Sequence, residues 1–203
     1  MKQLVLSEGI HDVLLVECFY ESEFPSSELK PVYAEEMEFA DLTDLQGQET
    51  KKIKNFLQRF NPYDVLVKSE NGKPNLIQVF VKTVNFLASK PLELCLLIDL
   101  DGESMSSLLA TLDEKARGTY KSADLRVSQS TSIHSNEHME VVEAELHDGD
   151  QVRDDFKITA FTDSFEIAAG IDKRTDDKDA MRTKAETFLD DYPSVMHGFR
   201  ESF

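Results

Sequence analysis

The first part of the chain switches repeatedly between two hydrophobic patterns. Gln3-Leu4-Val5-Leu6-Ser7 is a short, largely apolar run suited to a strand, and it passes straight into Glu8-Gly9. Apolar residues at positions 10, 13, 14 and 16 then recur at helical spacing. A polar stretch rich in Glu, Ser and Pro (ESEFPSSELKP) reads as a loop. It leads to a second helical pattern on Ile53, Phe56, Leu57 and Phe60, which Pro62 closes. Residues 63–68 (YDVLVK) read as a strand and 69–74 as a turn, and positions 76, 77, 80, 81, 84 and 87 restore the helical repeat. Residues 92–98 (LELCLLI) form the most apolar run in the chain, the pattern of a central strand covered on both faces. That run enters Asp99-Leu100-Asp101-Gly102, after which Glu103 or Ser104 opens a helix with Met105, Leu108, Leu109 and Leu112 on one face.

Strands alternating with helices imply parallel pairing through right-handed crossovers, and such sheets bind ligands at the carboxyl ends of their strands. The expectation is an α/β fold with a mostly parallel central sheet flanked by helices. After about Ser122 the pattern changes. RVSQSTSI, HMEVVEAEL and DFKITAFT look like strands without long helices between them, which predicts a meander or edge hairpins. A last amphipathic helix is expected over about 176–190, with Ala180, Met181, Ala185, Phe188 and Leu189 as its buried side and Pro193 marking its end. The division is thus an α/β domain over 1–125 and a β-rich and helical C-terminal extension over 126–203, packed on the same domain.

Composition narrows this picture. The 203 residues suit one domain or one domain with an extension, and a hydrophobic content of 40% supports a packed core. No apolar run approaches the roughly 20 residues that span a bilayer. The opening MKQLVLSEGIHDVLLVE is interrupted by Ser7, Glu8, His11 and Asp12, so the expectation is a cytoplasmic protein without membrane insertion. Cys18 and Cys95 lie inside apolar stretches and read as buried hydrophobes. The net charge of −17 counts against tight unaided binding of nucleic acid. An acidic surface can also reflect a halophilic source, against which fifteen lysines argue mildly.

Candidate chemistry lies at the strand ends. Asp99 and Asp101 follow the most apolar strand and precede Gly102, and Glu8 follows the first strand in Leu6-Ser7-Glu8-Gly9. Three carboxylates at one pole of a sheet repel one another, and a hard divalent cation, Mg²⁺ or Mn²⁺, is the natural means of keeping them ionised. From spacing alone, a set of turn acids capping helices is an equal alternative, and Asp148-Gly149-Asp150 shows how easily D-x-D arises in so acidic a chain. Lys73 follows Gly72 at a strand-to-helix turn where free N–H groups favour an anion, which makes both candidate phosphate contacts; a solvated loop lysine is the other reading. His11 adjoins the site, whereas His134, His138, His147 and His197 lack zinc spacing. No G-x₄-G-K-[ST] loop is present.

The order Leu4-Val5-Leu6-Ser7-Glu8-Gly9-Ile10-His11-Asp12 followed by Leu97-Ile98-Asp99-Leu100-Asp101 resembles the Toprim domain of topoisomerases, bacterial primases and OLD-family nucleases. The shared pattern is E-G-x-x-D and then D-x-D. The segment from Ser69 to Ile77 also resembles the glycine-containing turn of stand-alone and OLD-type members, and the likeness spans about residues 1–125. It implies a Rossmann-like sheet. It also implies that Glu8 is a general acid or base or an added ligand, that Asp99 and Asp101 bind metal, and that Asp12 supports the site or binds metal with Glu8. The implied activity is Mg²⁺- or Mn²⁺-dependent nicking or cleavage of DNA or RNA. The alternatives are a non-catalytic Toprim module that recruits a protein or nucleic-acid partner, and a D-x-D phosphatase or phosphotransferase, whose acids normally follow the first strand.

Overall fold

In the computed structural model of the protein, which describes residues 2–32, 53–58, 61–120 and 124–203, one sheet runs through the whole chain. Its elements are β1 (Lys2–Ser7), α1 (Ile10–Glu23), β2 (Leu29–Val32), β3 (Val65–Ser69), α2 (Lys73–Leu87), β4 (Leu92–Asp99), α3 (Met105–Thr119), β5 (Leu125–Ser135), β6 (Met139–Asp148), β7 (Gln151–Phe161), α4 (Phe165–Ala168), α5 (Lys178–Asp191) and α6 (Pro193–Ser202). Strand order is β2-β3-β1-β4-β7-β6-β5. Neighbours from β2 through β7 pair in parallel, and β6 pairs antiparallel with both β7 and β5. The fold is therefore α/β with a mostly parallel central sheet flanked by helices.

The continuous apolar runs follow from burial on both faces. Along β4, Leu94, Leu96 and Ile98 pack in one cluster with Leu76, Phe80 and Val84 of α2 and Leu108 and Leu112 of α3. The alternate residues Cys95 and Leu97 face the opposite cluster, with Val13 and Val16 of α1, Phe188 of α5 and Phe199 of α6. Each strand thus feeds two cores. Both cysteines are free and buried, and burial pushes each thiol up to about 11. Lys68, wholly buried on β3, is ion-paired with Glu70.

Three elements depart from the sequence expectation. The loop read at ESEFPSSELKP contains β2, whose four residues pair with β3. Pro193 does end α5, but it also begins α6, because a proline in the first helical turn gives up no hydrogen bond. The strand meander is not confined to the sheet's edge: β7 lies in its interior, parallel to β4. Residues 53–56 are helical as expected, whereas Phe60, assigned to the same helix, lies outside the described residues.

α6 closes the second core. Phe199 is fully buried, with its ring 5.3 Å from that of Phe19 on α1 and 6.3 Å from that of Phe161 on β7. Gly198 permits a close approach, since a Cβ there would stand 2.8 Å from Met139 Sδ and 2.9 Å from His134 Cδ2 and would force those side chains to shift. Thr159 Oγ1 on β7 donates to Ser202 Oγ at 2.6 Å. The C-terminal helix is thus integral to the core. Phe199→Ala is expected to cost about 3–5 kcal/mol in urea unfolding, the usual range for a buried phenylalanine. A loss under about 1 kcal/mol would show that α6 is dispensable packing.

Candidate carboxylate site

β1 and β4 lie side by side in parallel, with Leu6 opposite Leu96 and Ser7 opposite Leu97, so their carboxyl ends open at the same pole. The chain leaves β1 for α1 on one face of the sheet, but leaves β3 and β4 for α2 and α3 on the other. A crevice opens where neighbouring strands send their helices to opposite faces. It forms a cleft of about 300 Å³ whose lining includes Glu8, His11, Asp12, Asp99, Glu166 and Lys173.

Each acid is held by a donor at the end of a strand or in the residues that follow one. Glu8 Oε2 accepts the backbone N–H of Asp99 at 2.8 Å, a bond that ties the end of β1 to the end of β4. Burial raises the pKa of Glu8, the Asp99 amide opposes that shift, and the charge of Asp101 adds to it. Asp12 occupies the third position of α1, and its Oδ2 accepts the Gly9 N–H at 2.8 Å, a helix-start bond from a side chain that is 4% exposed. Burial, followed by the like charge of Asp99, holds Asp12 well above the usual carboxylate range. Asp99 Oδ1 accepts the N–H of Phe165 at 3.3 Å. Burial, followed by the charges of Glu8 and Glu166, pushes Asp99 up to about 8.

Glu166 behaves differently. Burial alone would raise it, but bonds from His11 Nδ1 at 2.8 Å and Lys173 Nζ at 2.6 Å lower it to about 2. The reciprocal attraction of Glu166 outweighs desolvation at Lys173 and raises its pKa. The cleft therefore holds one firmly ionised carboxylate and three that resist ionisation.

The predicted residues divide in two. Glu8, Asp12 and Asp99 line the cleft together. Asp101 does not follow Asp99 into it, because residues 100–103 make a tight turn. Glu103 N–H donates to Leu100 O at 2.9 Å, and φ is 54° at Asp101 and 81° at Gly102. This double left-handed step turns the Asp101 side chain outward, 60% exposed and 3.9 Å from Lys73 Nζ. Its charge still reaches Glu8 and Asp99. Lys73 Nζ donates to the carbonyls of Asp99 at 2.8 Å and Leu100 at 3.2 Å, tying α2 to the β4 turn. Gly72, at φ 108°, spends its N–H on Glu8 O at 2.8 Å. Neither donor stands free for a phosphate in this arrangement.

Sequence reasoning missed Glu166 and Lys173 and undervalued His11. Glu166 lies on the short α4, whose one turn carries no periodic signal, and Lys173 falls in a stretch that reads as a solvated loop. The available hint was β7: a strand parallel to β4 must deliver the residues after it to the same pole. His11, which adjoins the site in sequence, is 7% exposed and bonded to Glu166.

An all-oxygen set of mutually repelling carboxylates matches a hard cation in donor type and charge. Among the described residues, however, no three His, Cys, Asp or Glu side chains stand in a metal-holding arrangement.

No family model matches the sequence, and no curated protein matches it. Two solution NMR structures of de novo designed proteins with a P-loop NTPase fold are similar at a low level. One is 15% identical, covers 97% of this chain and 96% of that chain, and superposes with a TM-score of 0.32. The other is 17% identical, covers 59% and 75%, and has a TM-score of 0.31. Likeness of that degree identifies no relative.

The raised pKa of Asp99 fixes the sign of a pH effect. The folded protein keeps a proton that the unfolded chain releases near 3.8, so without added metal the stability contributed by Asp99 falls as pH rises from about 4 to about 8. In EDTA, Asp99→Asn should melt higher than the parent at about pH 8, and the gap should close by about pH 4. An equal or lower melting temperature for the variant at the higher pH would show that Asp99 is not under charge strain.

Proposed function

We propose that the protein is a Mg²⁺- or Mn²⁺-dependent phosphodiesterase that nicks or cleaves nucleic acid, as the Toprim resemblance implies. The observation that carries this reading is the gathering of Glu8, Asp12, Asp99 and Glu166 in one cleft at the carboxyl ends of adjacent parallel strands. Asp99 and Asp12 would hold the metal, with Glu8 and Asp101 within reach of its field. A bound divalent ion polarises a phosphoryl oxygen and neutralises the surrounding carboxylates.

The chain's own groups supply the rest. Glu8, with a raised pKa and a fixed bond to the Asp99 amide, is suited to carry a proton to or from the reacting oxygen. Lys173 is the ammonium group among the described residues lining the cleft, and its side chain is 60% exposed, so it can meet a phosphate entering from solvent. His11 fixes Glu166, which in turn holds Lys173 over the opening. Lys173 thereby takes the phosphate-facing role that the sequence assigned to Lys73. On this reading the protein works in the cytoplasm, on DNA or RNA.

The net charge of −17 favours a second reading, a non-catalytic module that uses the same pole to recruit a protein or nucleic-acid partner. Plasmid DNA, single-stranded DNA and RNA incubated with Mn²⁺ or Mg²⁺ separate the two. Glu8→Gln is expected to slow cleavage by about 10²–10⁴, the usual contribution of a general acid or base. Asp99→Asn should abolish both cleavage and the rise in melting temperature produced by Mn²⁺. Cleavage that survives both substitutions would end the proposal; neither cleavage nor a metal-induced shift in the parent protein would favour the module.

A further inference from the structure

We infer that Lys173 is the carboxylate cleft's own cation, a side chain that competes with a divalent metal for the cleft and turns out to solvent when it loses, an inference that rests on the function proposed above. Glu166 is gripped from two sides that differ in burial. His11 Nδ1 reaches Glu166 Oε1 from the interior at 2.8 Å, and the two side chains are 9% and 11% exposed. Lys173 Nζ reaches the same oxygen from the solvent side at 2.6 Å, from a side chain that is 60% exposed. The inner bond is part of the core. The outer one is exchangeable, because an ion pair open to water is weak and a lysine regains rotamers when it lets go. Once Lys173 leaves, His11 still holds Glu166 in the cleft with Asp12 and Asp99.

What can move is the side chain, not the loop that carries it. Just before Lys173, the Ile171 N–H donates to Glu166 O at 2.8 Å, and the Ile171 side chain is buried in the second core. Asp172 and Asp176 close a turn around Lys173: the Asp172 N–H donates to Asp176 Oδ2 at 2.7 Å, and the Asp176 N–H donates to Asp172 O at 2.9 Å. Lys184 of α5 ties the two ends of the loop together, donating to Gly170 O at 2.8 Å and to Asp176 Oδ2 at 2.6 Å. The Lys173 backbone is thus fixed at the rim of the cleft, while its four carbons and ammonium group can turn inward or outward.

The ammonium group answers to more than its bonded partner. Desolvation lowers the pKa of Lys173, but Glu166, and beyond it Asp12 and Asp99, raise it overall. Lys173 therefore neutralises the same carboxylates that a dication would neutralise. Two cations in one small cleft repel each other, so one of them must give way. Asp12 and Asp99 gain more from a dication than from an ammonium group that is bonded to Glu166. Lys173, displaced but still anchored at the rim, is then left to meet a phosphate. The order this imposes is metal first and phosphate second.

The test pairs thermal melting of the full chain in EDTA with calorimetric titration of MnCl₂, for the parent, Lys173→Met, Lys173→Arg and a control, Lys115→Met, exposed on α3. The two readouts should move in opposite directions for Lys173→Met. Without metal it should melt below the parent, because the cleft has lost its cation. It should bind Mn²⁺ about tenfold more tightly, the order expected when a unit charge is removed from close to a dication. Lys173→Arg, which keeps the charge, should stay near the parent in both, and so should Lys115→Met. An affinity for Mn²⁺ that is unchanged or weaker in Lys173→Met would reduce the pair to ordinary structural support and overturn the inference. Equal tightening in Lys115→Met would assign the effect to net charge and overturn it as well, as would a failure of both parent and Lys173→Met to bind Mn²⁺. Cleavage of nucleic acid is scored separately. If the parent cleaves and Asp99→Asn does not, while Lys173→Met binds Mn²⁺ as the parent does, the proposed function stands and the competing lysine falls. If Lys173→Met binds Mn²⁺ more tightly but no protein cleaves, the competing lysine stands without the enzyme.

Discussion

Like charges confined out of water are the constraint on which this molecule turns. Glu8, Asp12, Asp99 and Glu166 share one pole of the sheet, and burial removes the solvent that would otherwise screen them. The fold answers with polar partners for each: the Asp99 amide for Glu8, the Gly9 amide for Asp12, the Phe165 amide for Asp99, and both His11 and Lys173 for Glu166. None of these donors belongs to the interior of a strand. They come from the end of β4 and from the residues that follow β1 and β7, so the site exists only when three strands separated in sequence have met. Site assembly and sheet assembly are one event.

That dependence explains why the second half of the chain is not an accessory to the first. β7 enters the sheet beside β4 with the same direction, which carries α4 and the residues after it to the pole where β1 and β4 end. The outcome is asymmetric. Glu166, supplied from beyond residue 125, is firmly ionised because it arrives with its cation, whereas Asp12 and Asp99, supplied from the N-terminal part, are left short of positive charge. A cleft with one stabilised and three strained carboxylates attracts cations and resists anions until a cation is present.

Much of this was legible in sequence because hydrophobic period reports burial directly. The two-sided burial of β4 is the apolar run LELCLLI, and the face of α3 is the spacing of Met105, Leu108, Leu109 and Leu112. Glu8 and Asp99 were legible for a related reason: an acid directly after an apolar strand has nowhere to go but the strand's end. Other features carry no periodic signature. β2 is short and contains a proline, tolerable because among the described residues it pairs with β3 alone. Glu166 lies on a single helical turn, and its role depends on a contact with His11 across 155 positions. Asp101 misled because D-x-D implies a shared face only while the strand continues, and the left-handed turn at Asp101-Gly102 ends it.

The distribution of charge matters more than its total. At physiological salt a charge is screened over about 8 Å, so the sum of −17 sets how an anionic polymer approaches the protein but not what it meets on contact. Helix α2 itself carries no acid and the cleft beside it is acid-rich, with the turn at residues 71–73 as the border between them. The N-terminal end of α2, which would otherwise attract an anion, is partly filled from within: the Gly72 amide is bonded to the Glu8 carbonyl, and Lys73 Nζ to the carbonyls of Asp99 and Leu100. With the Gly72 amide and the Lys73 ammonium spent on the chain itself, the ammonium group left at the cleft among the described residues is that of Lys173, 60% exposed beside Glu166.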